Sequence, residues 1–128
     1  MTIHFSFTKL VVGDLERCAV FYASAFGLTE QYRVHSEIAG RPIDEILYEA
    51  TAPGGGTLVL LRFTDTTEAA SAGVITGFVT DAIDALFARA VAAGATVAQA
   101  VADAPEHGVR VGFLADPEGR LIEVVEPR

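Results

Sequence analysis

Two stretches of this chain, Val12–Gly27 and Val79–Gly94, follow one plan at an interval of 67 residues. Each reads as a strand that runs into an aspartate, an amphipathic helix, and a glycine that stops it. Asp14 and Asp81 stand at the two helix starts, Gly27 and Gly94 at the two stops, and Thr29 and Thr96 follow. Aspartate accepts N–H bonds at a helix start, and glycine takes the left-handed conformation that ends one. A unit of this size used twice implies two copies of one supersecondary module. Function is then to be sought in a cleft that such a pair encloses.

The rest of the pattern fills in both copies. Phe5–Gly13 alternates as a strand, and Leu15, Cys18, Ala19, Tyr22 and Phe26 make one apolar stripe at helical spacing. Strands are expected over Leu28–Glu37, Ile43–Thr51 and Thr57–Phe63, separated by turns at Gly40-Arg41-Pro42 and Pro53-Gly54-Gly55-Gly56. A polar connector, Thr64–Ala72, leads into the strand Val74–Thr80. Ile83, Leu86, Phe87, Ala90 and Val91 then mark a helix buried on one side. Strands Thr96–Val101, Val109–Ala115 and Arg120–Glu126 complete the second copy, the last two joined by an Asp116-Pro117-Glu118-Gly119 turn. Ala102–Gly108 reads as a loop able to overhang a cleft. The expected fold is α+β: two βαβββ modules, about residues 1–63 and 73–128 with a connector at 64–72, forming a curved mixed sheet with the helices outside.

Composition narrows the function classes. Half the residues are apolar, which suits a filled core in one domain of 128 residues. A net charge of −8, with nine scattered Lys and Arg, disfavours nucleic acid, whose phosphates demand clustered cations. No apolar run reaches the roughly 20 residues that span a bilayer. The start, Met1-Thr2-Ile3-His4, lacks the basic and apolar regions of a signal peptide, and one cysteine excludes an internal disulfide, so the expected compartment is the cytoplasm. Cys18 lies in the helix stripe and reads as a small core residue. Gly54-Gly55-Gly56 lacks the Lys-Ser/Thr ending of a phosphate loop and opens no helix.

With these elements in this order the chain resembles the vicinal oxygen chelate superfamily, which includes glyoxalase I, bleomycin-resistance proteins and extradiol dioxygenases. The resemblance rests on Leu10-Val11-Val12-Gly13-Asp14-Leu15-Glu16-Arg17, on Phe21-Tyr22 and Phe26-Gly27-Leu28, on the Asp84–Gly94 helix, and on Asp116–Glu123. It implies a homodimer. In metal-dependent members it also implies four ligands: His or Gln on the first strand, Glu on the fourth, His or an equivalent on the fifth, Glu on the eighth. Transferred by position these fall on Phe7, on Val59 or Leu60, on Val74 (Ile75 if the register slips by one), and on Glu123. Three of the four are hydrocarbon side chains and cannot replace the water of a divalent cation.

The expectation is therefore a protein that needs no metal or other cofactor and binds a small organic molecule in an apolar cleft. Its lining is Phe7, Val59 or Leu60, Val74 and Glu123. Sequestration of an antibiotic or other toxic compound is the most concrete version. Lys9 shares strand parity with Phe7 and is placed to meet Glu123 or an anionic ligand group, or else to reach solvent along its stem. Arg62 belongs to the cleft only if Leu60 is the inward position; Tyr48 offers an aromatic wall, and Arg110 and His107 a mouth. The rival reading is an isomerase, epimerase or lyase with Glu123 as general base, and the alternative for Glu123 is a remnant paired with a nearby cation. A metal-dependent lyase or dioxygenase would need rebuilt ligands, of which His35 with Glu37 is one pair; His4 points away from Phe7's face, and His107 stands beside Glu106.

Overall fold

The computed structural model describes Thr2, residues 5–68 and residues 74–128. His4 and the end of the connector lie outside the described residues. The order is β1 (Phe7–Val11), α1 (Leu15–Phe26), β2 (Glu30–Ile38), β3 (Arg41–Tyr48), β4 (Thr57–Phe63), β5 (Thr76–Val79), α2 (Ile83–Ala92), β6 (Thr96–Ala104), a 3-10 turn (Pro105–His107), β7 (Val109–Ala115) and β8 (Leu121–Pro127). This is βαβββ twice. Each copy builds its own four-stranded mixed sheet, in the orders β1-β4-β3-β2 and β5-β8-β7-β6. In both, the first strand pairs in parallel with the last, and the other pairings are antiparallel. None of the described helices is long and apolar enough to cross a membrane.

The chain forms two compact units. One takes β1, α1 as far as Ala19, and β2 to β4; the other takes Val20–Phe26 with β5 to β8 and α2. In the first unit, Leu10, Val12, Ile46, Tyr48 and Leu60 are buried on one sheet face, with Cys18 of α1 buried as expected. Arg33, in register with Ile46, and through it Leu60, pairs with Glu16 of α1 and so marks that face as the helix side. In the second unit Ile83, Phe87 and Ala90 of α2 and Leu114, Ile122 and Val124 of the sheet are buried. Phe26 stacks on Phe78 with ring centroids 4.0 Å apart. Each such aliphatic or aromatic side chain contributes about 1.5–3 kcal/mol through burial.

The repeat is closer at its helix stops than at its starts. Gly27 and Gly94 both take positive φ, at 69° and 118°. The helices, however, begin at Leu15 and Ile83, an interval of 68, and the matching strand bonds Val12 N–H to Leu61 O and Thr80 N–H to Val125 O keep that interval. Asp14 caps α1 as expected, its Oδ1 accepting the Arg17 N–H at 3.1 Å. Asp81 does not cap α2. The cap residue is Ala82, whose side chain makes no cap bond, and the first helical N–H, on Ile83, is taken by Glu126 Oε2 of β8 at 2.8 Å.

Other boundaries move for local reasons. The β2–β3 turn is Ala39-Gly40, not Gly40-Arg41-Pro42, because a two-residue hairpin turn needs positive φ at both central positions, here 52° and 79°. Arg41 and Pro42 then belong to β3. β1 and β5 are shorter than the apolar runs that suggested them, and β6 runs on to Ala104 through two register shifts against β7. The loop expected at Ala102–Gly108 shrinks to the single 3-10 turn.

Candidate functional site

Side-chain parity across the paired strands sorts the candidate residues, because residues in register share a sheet face and neighbours along a strand alternate. In the first sheet Lys9 is in register with Val59, and Val59 with Leu47; Phe7, two residues from Lys9, shares their face, as does Glu45 of β3, in register with Leu61. Val59 is thus on the face of Phe7 and Lys9. Leu60, Arg62 and Tyr48 are on the other, helix-facing side. Both faces of β4 are fully buried at Val59, Leu60 and Leu61, which is why an unbroken apolar run could not assign them.

On the Phe7 face, Lys9 Nζ lies 2.8 Å from Glu45 Oε2. The Glu45 side chain is 10% exposed and that of Lys9 32%, so the carboxylate is the buried partner and the ammonium the open one. The Phe7 ring, itself 53% exposed, has its centroid 5.8 Å from Nζ. Glu45 was not among the candidates from sequence. An acid between Ile43 and Leu47 was visible in the sequence, but only the strand register puts it on the face of Lys9.

On the helix side, Tyr48 is buried and its hydroxyl has no hydrogen-bond partner among the described residues. Burial, and secondarily the negative charge of Glu30, pushes its pKa up to about 12. Arg62 Nε is likewise buried and unpartnered among the described residues.

In the second sheet Glu123 stands between Gly77 of β5 and Phe113 of β7, on the face away from α2. It is half-buried, and among the described residues its side chain has no hydrogen bond or ion pair. Val74 and Ile75 precede β5 and are exposed; with the interval of 68, Ile75 is the counterpart of Phe7. Arg110 is on the α2 side. It bonds Asp84 of α2 at 2.9 Å and lies within 4 Å of Asp103 and Glu126. The Arg110 bond holds the Asp84 carboxyl below its usual range. His35 pairs with Asp44 across the β2–β3 ladder, while Glu37 faces Pro42. His107 sits in the 3-10 turn.

The donor set does not fit a chelated cation. Phe7, Val59 and Val74 or Ile75 carry no donor atom, and Glu45 is engaged by Lys9. Among the described residues no three His, Cys, Asp or Glu side chains gather in a way that could hold a metal ion.

A duplicated βαβββ chain with a parallel first-to-last strand pair in each copy defines a glyoxalase/bleomycin-resistance-like fold. The chain belongs to the glyoxalase-like domain family, whose model matches residues 8–125, and with it to the vicinal oxygen chelate superfamily. Solved structures agree. A glyoxalase-related enzyme from Fulvimarina pelagi is 26% identical over 96% of this chain and 87% of its own, with a TM-score of 0.67. A glyoxalase family protein from Bacillus cereus is 19% identical over 98% and 95%, with a TM-score of 0.82. A glyoxalase/bleomycin resistance protein from Albidiferax ferrireducens T118 is 21% identical over 97% and 98%, with a TM-score of 0.68. No curated protein matches the chain.

Proposed function

We propose that this protein binds a small organic molecule without a metal, using the face of the first sheet that carries Phe7, Lys9 and Val59. One observation carries the reading: Phe7 and Val59, where the family resemblance puts two metal ligands, share one face and are both hydrocarbon, Phe7 half-exposed and Val59 buried. Such a surface favours dispersion and burial of apolar ligand area. The likeness to a glyoxalase/bleomycin resistance protein supports sequestration of an antibiotic or toxic compound as the concrete form; that the protein works as a cytoplasmic homodimer is part of the same proposal.

A second reading has its own observation. Glu123 is half-buried with no partner among the described residues, the condition in which a carboxylate is available as a general base. Two measurements separate the readings. Glu123→Gln in a binder keeps ligand affinity within about twofold; in a base-dependent isomerase, epimerase or lyase it lowers turnover by about a hundredfold or more. Elemental analysis of the purified protein, with ligand screening by thermal shift before and after chelation, is expected to show binding that survives chelator. Stoichiometric metal, with binding lost on its removal, overturns the metal-free reading.

A further inference from the structure

We propose that Lys9 is the polar anchor of this face, fixed by Glu45, and that it takes a ligand through a carboxylate or carbonyl oxygen set beside Phe7. The inference rests on the binding reading above and adds the class of ligand.

Register places the pair. Lys9 is opposite Val59 and Glu45 is opposite Leu61, so the ion pair joins β1 to β3 diagonally across β4, over two fully buried aliphatic side chains. A lysine on an open strand ordinarily extends to solvent, and holding it down costs rotamer entropy. Here a carboxylate nine-tenths buried holds it, and the ammonium in turn gives that carboxylate the hydrogen bond its burial calls for. Each therefore fixes the other.

The fixed ammonium retains hydrogen-bonding capacity. It has three N–H donors, and its bond to Glu45 Oε2 is its one hydrogen bond among the described residues. Its exposure is three times that of its partner, so a ligand meets the donor and not the acid. Because the pair is neutral as a unit, selection comes from direct hydrogen bonding and not from a long-range field. An oxygen acceptor completes the ammonium's shell; an amine meets a like charge first. The half-exposed Phe7 ring beside Nζ supplies an apolar wall for the carbon skeleton that bears the oxygen.

The test uses four monosubstituted benzenes in NMR titrations of the intact protein: benzoate, acetophenone, benzylamine and toluene. Benzoate and acetophenone are expected to bind, benzoate at least tenfold tighter than benzylamine, in keeping with a hydrogen bond to a charged group. The double variant Lys9→Met/Glu45→Met replaces the pair with apolar groups of similar length and leaves no buried charge. It is expected to keep its thermal midpoint and toluene binding while losing benzoate affinity tenfold or more. Glu45→Gln loosens the ammonium, and is expected to weaken acetophenone, a neutral acceptor that gains little from the unmasked charge, several-fold with toluene unchanged, a split that a merely structural role would not give. Preference for benzylamine, or benzoate affinity unaltered in the double variant, overturns the inference. Toluene binding without benzoate binding overturns it and leaves the binding reading standing; no binding of any probe overturns both.

Discussion

Tyr22 Oη donates a 2.8 Å hydrogen bond to Asp116 Oδ2, joining α1 to the β7–β8 turn across 94 residues of sequence. The other carboxylate oxygen accepts the backbone N–H groups of Glu118 and Arg120, both at 2.9 Å. Asp116 thus organises its own turn and anchors it to a buried helix residue. Tyr22→Phe is expected to destabilise by about 1–3 kcal/mol, because it takes a donor from a buried carboxylate. Asp116→Ala loses the turn bonds as well and should cost more. Urea midpoints at unchanged m-value measure both; equal stability of Tyr22→Phe and the parent would show that the bond contributes nothing.

The start of α2 depends on a residue 43 positions away. Glu126 Oε2 takes the Ile83 N–H, where the pattern of the first copy had pointed to Asp81. A carboxylate at a helix N-terminus satisfies an orphan donor and meets the positive end of the helix dipole. Glu126→Leu should therefore cost about 0.5–2 kcal/mol, and Asp81→Ala less than about 0.5 kcal/mol. Hydrogen exchange at the Ile83 amide should quicken in the first variant and stay unchanged in the second. The reverse order would return the cap to Asp81.

How far the sequence carried follows from which signals it contained. Helix stripes, the Asp14 cap and the glycine stops are local, and they located both helices and the two-module plan. The 67-residue match misplaced the second helix start because Asp81 imitates Asp14 one residue too early, and the real partner, Glu126, is distant in sequence. Strand parity failed where both faces are buried: Leu58-Val59-Leu60-Leu61 has no alternation to read, and only pairing with Lys9 and Leu47 separates Val59 from Leu60. Glu45 was missed because an ion pair across three strands has no sequence spacing of its own.

The contact of Gly112 with Phe87 ties β7 to α2. A Cβ built on Gly112 would lie 2.5 Å from Phe87 Cζ and 3.1 Å from Val101 Cγ2. Phe87 is buried and has little room to retreat. Gly112→Ala should thus destabilise by about 1–3 kcal/mol through overpacking. Adding Phe87→Leu makes room and should recover part of the loss, so the two changes combine non-additively in denaturant titrations. Additive costs would show that the strand and helix separate freely at this point.

Tyr48 provides the pH-dependent prediction. Its hydroxyl is buried without a partner among the described residues, and burial raises the folded-state pKa from 10.0 to about 12. A raised folded pKa means that the folded state holds this proton more tightly than the unfolded chain does. The associated stability is fully present below pH 10 and is lost as the pH rises through about 12, a loss of roughly 2–3 kcal/mol. Tyr48→Phe removes the titrating group and an unsatisfied hydroxyl, so at pH 7 it should be neutral or stabilising by up to about 1–3 kcal/mol. Between pH 10 and 12 the parent should then lose stability relative to Tyr48→Phe, leaving the common contributions of Tyr22 and Tyr32 to cancel in the difference. Chemical denaturation of both proteins at pH 7, 10 and 11.5 measures this. A variant clearly less stable at pH 7, or a difference that does not change with pH, would show that the hydroxyl is satisfied and that its burial has no bearing on alkaline unfolding.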